Sequence, residues 1–258
     1  MKTFKHSGAA GDLLYSLALV KKFGGGDFYL HLNQINWIGQ YYYKVERPDP
    51  YHENKMNDKD YEFFKDFMEA QTYINSFNIL DPKTDAITHN LDRFRPIFVN
   101  HPTNYVNIYC QAFGIMDQGT QDIISGDTWF SVANPRPIAG KPMIINRTQR
   151  GYSPVEVNPR WHAWRESGGP EQSVFVGLPN EHEYFQQWVG CKLDYCPTPT
   201  LLDLAEVIAG GQEFVGNQSL ALALAQGLGV PYTFERRRDL PLERNESYFP
   251  NHPQGNVF

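Results

Sequence analysis

Cysteine is scarce in this 258-residue chain. Cys110, Cys191 and Cys196 are the whole set, and their spacing pairs none of them in the manner of a zinc site. That excludes a disulfide scaffold and leaves three scattered, buried thiols in a reducing compartment as the expectation. No run approaches the roughly 18 apolar residues of a membrane span. Residues 1–6 lead into Gly and Ala with no apolar signal core, so a soluble, cytoplasmic protein is expected. Positive charge is in deficit: 23 Lys and Arg face 29 Asp and Glu, a net charge of −6. This argues against a broad nucleic-acid surface and leaves room only for a local basic groove. Low-complexity repeats are missing too. No Asp-x-Asp pair stands out as a metal holder. Asp58-Lys59-Asp60 has the spacing, but it precedes a helix, where carboxylates favour the helix start.

What is present is apolar content of 41%, with 17 Phe, 15 Tyr and 5 Trp. That is enough for a packed core with rings left over to line a cleft. The chain opens as a β-α-β unit: a strand over 1–6, a small-residue turn, a helix over 13–22 with Leu13, Leu14, Leu17, Ala18 and Val20 on its apolar face, and a strand over 28–32. Such a unit predicts a parallel sheet with ligands at the strand C-terminal ends. Asp12 falls at the helix start, where it reads equally as a cap and as a catalytic base. Residues 33–60 are polar and irregular and contain Tyr41-Tyr42-Tyr43. They read as a binding loop or as a surface excursion whose tyrosines merely pack. A helix over 61–77, strands over 84–90 and 96–100, and a helix over 104–113 follow.

Pro135-Arg136-Pro137 and Ala139-Gly140-Lys141-Pro142 mark a boundary. It divides the chain into a first unit over 1–137, a second over 138–245 and a tail over 246–258. In the second unit strands over 143–146, 173–177, 213–215 and 231–235 alternate with helices over 161–166, 181–189, 201–209 and 220–225. Two anion sites suggest themselves at strand ends. One is the loop after Asn146, where Arg147 and Arg150 can fork onto a phosphate. The other is the turn Gly216-Asn217-Gln218-Ser219 before the Leu/Ala helix, where unpaired backbone N–H groups meet the helix dipole. An ordinary Ser or Asn cap is the alternative for that turn.

Taken together, Gly11-Asp12-Leu13-Leu14, Ile144-Ile145-Asn146-Arg147-Thr148, Phe175-Val176-Gly177-Leu178-Pro179 and Phe214-Val215-Gly216-Asn217-Gln218-Ser219-Leu220 resemble the heptosyltransferase-like glycosyltransferases, including short phage-type relatives. The resemblance covers both ends and most of 141–235, but not 33–130. It implies an α/β protein of GT-B type, two Rossmann-like domains facing a central cleft, with the acceptor on the first and the nucleotide-sugar on the second. It implies Asp12 as base, and Arg147, Thr148, Arg150, Gly216, Asn217, Gln218 and Ser219 around the donor diphosphate. Gly177 and Glu235 are weaker candidates for the nucleoside, and Gly11, Tyr41, Tyr42 and Tyr43 for the acceptor side. Lipopolysaccharide-building relatives often have Asp-Thr-Gly or Asp-Ser-Gly where this chain has Gly216-Asn217-Gln218-Ser219.

The expected activity is metal-independent, inverting transfer from a nucleotide-sugar, UDP- or ADP-linked, to an acceptor hydroxyl, with no cofactor. The acceptor is a surface glycan or a hydroxymethylpyrimidine in phage DNA, the latter helped by Arg236-Arg237-Arg238. A nucleotide-sugar epimerase of the same fold and a non-catalytic nucleotide- or sugar-binding module are the rival readings.

Overall fold

Residues 13–20 are buried at every position, more than a helix with one apolar face requires. The reason lies in how two sheets meet. The computed structural model describes residues 1–37, 41–42, 45–46, 51–52, 56–97, 103–115, 127–148, 159–236 and 255–257.

The first half begins with β1 (Thr3–His6), α1 (Ala10–Lys22) and β2 (Gly26–Leu30). The second strand thus starts two residues earlier than the pattern predicts, at the glycines that end the helix. Four short strands follow: β3 (Asn36–Trp37), β4 (Tyr41–Tyr42), β5 (Val45–Glu46) and β6 (Tyr51–His52). β3 pairs antiparallel with β6, and β4 with β5. The helix expected over 61–77 is two elements, α2 (Asp58–Glu69) and β7 (Ile74–Ile79). Apolar spacing alone did not separate them. Asp58-Lys59-Asp60 forms the first turn of α2: Asn57 accepts from the Lys59 N–H at 2.8 Å, and Asp60 accepts from the Asn57 N–H at 2.8 Å. The carboxylates therefore serve the helix start, as their position implied.

Of the strand expected over 84–90, only β8 (His89–Asn90) forms. Ahead of it Thr3 and Thr88 exchange side-chain bonds, each hydroxyl accepting from the other's N–H at 2.9 Å. Those bonds replace the ladder that more strand would have made. A 3-10 turn, Leu91–Phe94, follows, and Pro96 and Ile97 are not strand; the rest of the expected 96–100 strand lies outside the described residues. Then comes α3 (Tyr105–Ala112), capped by Asn104.

The second half runs β9 (Met143–Asn146), α4 (Pro159–Glu166), β10 (Ser173–Phe175), α5 (Pro179–Val189), β11 (Asp194–Tyr195), α6 (Leu201–Gly210), β12 (Glu213–Asn217), α7 (Leu220–Leu228), β13 (Tyr232–Glu235) and β14 (Gly255–Val257). The last strand rises from a tail without periodicity and pairs parallel with β13. The first sheet has the order β7-β2-β1-β8 and the second β11-β10-β9-β12-β13-β14. Both are parallel throughout, as the β-α-β reading expected. In each, strand order reverses beside its first strand, between β1 and β8 and between β9 and β12. Doubly wound sheets bind ligands at such reversals.

The sheets are joined through helices. α1 packs against α3 and α7, and α2 against α6. One core cluster contains Leu13, Leu14 and Leu17 of α1 together with Leu222, Ala223 and Leu224 of α7. Each Leu contributes roughly 1.5–3 kcal/mol by leaving water. Between these helices the Tyr15 hydroxyl donates to Gln226 Oε1 at 2.6 Å, so the buried amide oxygen is satisfied. The N–H groups of Trp129 and Phe130 both donate to the Gly227 carbonyl at 2.9 Å. Gly227 has no space for a side chain: a Cβ there would stand 2.2 Å from the Phe130 ring and 2.8 Å from Trp129 Nε1. Gly227→Ala is expected to destabilise by about 1–3 kcal/mol through overpacking. Urea unfolding reads this directly, and a midpoint equal to that of the parent chain would refute it. Among the described residues no helix is long and apolar enough to cross a membrane.

Candidate functional site

Both strand-order reversals open toward one place. An ideal Cβ on Gly11 would lie 3.9 Å from the Leu220 N atom, so the starts of α1 and α7 are neighbours. α1 follows β1 and α7 follows β12. The C-terminal ends of the two sheets are thereby brought together, with Asp12 in the first turn of α1 beside the first turn of α7.

On the second sheet the strand expected over 213–215 extends through Asn217. Gly216 is therefore a strand residue and not part of the turn. It stands opposite Asn146, and a Cβ on it would come 2.3 Å from the Asn146 carbonyl. Asn217 is fully buried. Its side chain accepts from the Thr148 N–H at 3.0 Å and donates to the Thr148 carbonyl at 2.8 Å. This clasp carries the contact between the two strands to Thr148, two residues past the end of β9. Gln218 and Ser219 form the bend. Ser219 Oγ accepts from the Leu222 N–H at 3.3 Å, the cap that was the alternative reading, and donates to Asn146 Oδ1 at 3.1 Å. Asn146 Nδ2 in turn donates to the Val176 carbonyl at 2.8 Å. Asn146 thus ties β10 to the start of α7 across the reversal. The cap uses the Leu222 N–H and leaves the earlier Leu220 and Ala221 N–H groups ahead of the first intrahelical bond.

Arg147 is only 4% exposed. Its Nε donates to Glu235 Oε2 at 2.6 Å and its Nη2 to Glu235 Oε1 at 3.3 Å, and its guanidinium lies 3.9 Å from the Trp188 ring centroid. Trp161 Nε1 donates to the same carboxylate at 3.3 Å. The fork expected to grip a phosphate is closed on a carboxylate, and Glu235, expected near the nucleoside, is its partner. The pair locks the end of β13 to the loop after β9. Glu235→Ala removes the carboxylate that faces a buried guanidinium, and a loss of about 3–5 kcal/mol is expected. Thermal melts should show it, with the double variant Arg147→Met/Glu235→Ala losing less than the single one. A loss in the double variant equal to the sum of the two single-variant losses would mean the two groups do not depend on each other.

Gly177 lies just past β10, and its carbonyl accepts from the Tyr195 hydroxyl at 2.8 Å. Burial pushes the nearby Glu181 carboxyl up, while the Leu178 N–H that it accepts works against this. Arg150 and Tyr43 lie outside the described residues, as do the side chains of Tyr41 and Tyr42, whose backbones form β4. Cys110 is buried as expected, but Cys191 and Cys196 are half-buried, and all three are free thiols.

On the first sheet the sequence pattern missed most of the polar machinery. His6, at the end of β1, is fully buried. Its Nδ1 accepts from the Gly8 N–H at 3.2 Å, which leaves the proton on Nε2, and Nε2 stands 2.8 Å from Tyr109 Oη. The Tyr109 hydroxyl then donates to the Asp12 carbonyl at 3.0 Å. Every proton in this chain has a direction, and the neutral imidazole is the form that fits it. Beside it Asp92 accepts from Lys5 at 2.7 Å and from Arg95 Nε at 3.2 Å. Burial alone would raise the Asp92 carboxyl; the cationic form of His6 with Lys5 and Arg95 outweighs it and holds the group well below the usual carboxylate range. Arg95 Nη1 also lies 3.7 Å from Asp12 Oδ2. Asp12 is not the cap of α1: the N-cap is Ala9, with no side-chain bond. The only signal for this network in the sequence was the polar His6 closing an otherwise strand-like opening. Among the described residues, no three His, Cys, Asp or Glu side chains gather as a metal site.

No protein-family model matches the sequence, and no curated protein matches it by sequence. Solved structures do match by shape. The glycosyl transferase family 9 structure from Veillonella parvula DSM 2008 superposes with a TM-score of 0.61 at 12% identity, over 99% of this chain and 84% of that one. The E. coli ADP-heptose lps heptosyltransferase II gives 0.58 at 12% identity, covering 100% of this chain and 90% of that one. E. coli heptosyltransferase WaaC with ADP gives 0.53 at 15% identity, covering 100% and 92%. At such identities the likeness is one of fold, and the chain has the GT-B-like α/β architecture of those glycosyltransferases, two Rossmann-like sheets whose strand C-terminal ends meet.

Proposed function

We propose that the protein is a metal-independent, inverting glycosyltransferase that moves a sugar from a nucleotide-sugar to an acceptor hydroxyl. The observation that carries this reading is the adjacency of the starts of α1 and α7, which sets a carboxylate, Asp12, beside a helix N-terminus suited to an anion. In this reaction Asp12 takes the acceptor proton. The acceptor oxygen bonds to the anomeric carbon as the carbon–oxygen bond to the diphosphate breaks on the opposite face. The departing charge falls on the Leu220 and Ala221 N–H groups and the backbone at Thr148, with Arg150 two residues further along the sequence as a further candidate. Placed where charge develops, such donors act without reorganising. Arg147 takes a positioning role through Glu235.

The donor class to test first is ADP-linked, because the WaaC structure that shares the fold contains ADP. A glycan hydroxyl is the favoured acceptor, since a net charge of −6 opposes a DNA surface. Ligands that bind only the folded state raise the melting temperature by mass action. Against a panel of nucleoside diphosphates and their sugars, one base family is expected to stabilise the protein equally with and without Mg²⁺. Its sugar form should be consumed only when an acceptor is added. Consumption without acceptor would favour an epimerase, binding without consumption a binding module, and no stabilisation by any nucleotide would remove the donor site.

A further inference from the structure

The turn before α1 is strained and clamped. Ala9 sits at φ 54°, ψ 109°, a region that residues with a side chain rarely occupy. Three bonds hold the turn: the Ser7 N–H donates to Asp92 Oδ1 at 3.2 Å, the Gly8 N–H to His6 Nδ1, and Arg95 Nη2 to the Gly8 carbonyl at 3.1 Å. Arg95 takes part twice, since its Nη1 faces the Asp12 carboxylate at 3.7 Å while its side chain is 9% exposed. At 3.7 Å the two groups attract as an ion pair, at a distance beyond that of a hydrogen bond.

From this geometry we infer that Arg95 is a positioning residue for Asp12: it holds the Gly8–Ala9 turn in its strained form and keeps the carboxylate ionised beside the α7 start. The inference rests on Asp12 being the base. Among the described residues, the charged and polar groups next to Arg95 and Asp12 are otherwise engaged. Lys5 is bound to Asp92, Asp92 is an anion, and Tyr109, backed by His6, reaches the Asp12 backbone carbonyl as a neutral hydroxyl. Arg93 faces the Phe113 ring. α7, whose start is a neighbour of the α1 start, presents no charged residue from Leu220 to Leu228.

The test reads the Asp12 carboxyl directly, by carbon NMR titration of the labelled side chain, and so does not depend on turnover. In Arg95→Gln, Asp12 is expected to titrate about one unit or more higher than in the parent chain, the usual effect of losing an opposite charge at this range. The acid limb of kcat/KM should move with it. Arg95→Lys keeps the charge and loses the fork, so its Asp12 should titrate near the parent value while kcat falls. Donor stabilisation should be unchanged in both, because the donor side lies on the other sheet. A folded Arg95→Gln with Asp12 unmoved would overturn the inference. Should that variant not fold, full kcat in Arg95→Lys would overturn it instead. A parent chain that turns over no nucleotide-sugar, with Asp12 still moved in Arg95→Gln, would sink the transferase reading and leave the coupling standing.

Discussion

Asp12→Asn is expected to lower kcat by about 10²–10⁴-fold, the range of a lost general base, while nucleotide binding stays as it was. The change keeps size and hydrogen-bonding capacity but cannot take a proton. The Tyr109 bond survives the change, because it goes to the Asp12 backbone carbonyl. Steady-state kinetics at saturating donor, with donor-induced melting shifts measured in parallel, separate the two effects. Full transfer activity with an unaltered pH profile would assign the proton to another group. Loss of donor binding together with activity would place Asp12 on the donor side.

Acid should weaken the fold well before ordinary carboxylates titrate, and His6 is the reason. Burial, with Arg95 and Lys5 adding to it against the opposing pull of Asp92, pushes the imidazole down to about 3. The unfolded imidazole takes up its proton near 6.5. Between those values the unfolded chain binds the extra proton, so stability falls as pH falls, by up to about 1.4 kcal/mol per pH unit and about 5 kcal/mol across the window. Asp92 acts lower down. Its folded carboxyl is depressed, so its contribution is present above the unfolded value near 3.9 and is lost as pH drops below that. Urea midpoints from pH 7.5 to 4 should therefore decline, and His6→Gln should flatten the decline while lowering the plateau at neutral pH. A plateau extending unchanged to pH 4.5 in the parent chain would show that the buried ring is protonated without cost.

The sequence by itself determined the kind of protein. Alternating strands and helices, the small-residue turn after the first strand and the Leu/Ala helix after Ser219 fixed a parallel α/β chain, because these patterns reflect local propensity and burial. They located Asp12, the loop at Arg147 and the bend at Ser219, since all three sit where one element ends and the next begins. Tertiary structure alone decided what those residues touch. Whether Arg147 grips an anion depends on Glu235, 88 residues away and brought alongside by sheet order. Whether Asn217 offers donors or closes a clasp depends on Thr148, 69 residues earlier. His6, Asp92, Arg95 and Tyr109 form no motif; they meet only because β1, the turn after β8 and α3 converge behind Asp12. Burial of residues 13–20 on every side likewise follows from α7 packing against α1. Periodicity records one face of a helix at a time, and only the assembled fold supplies the second.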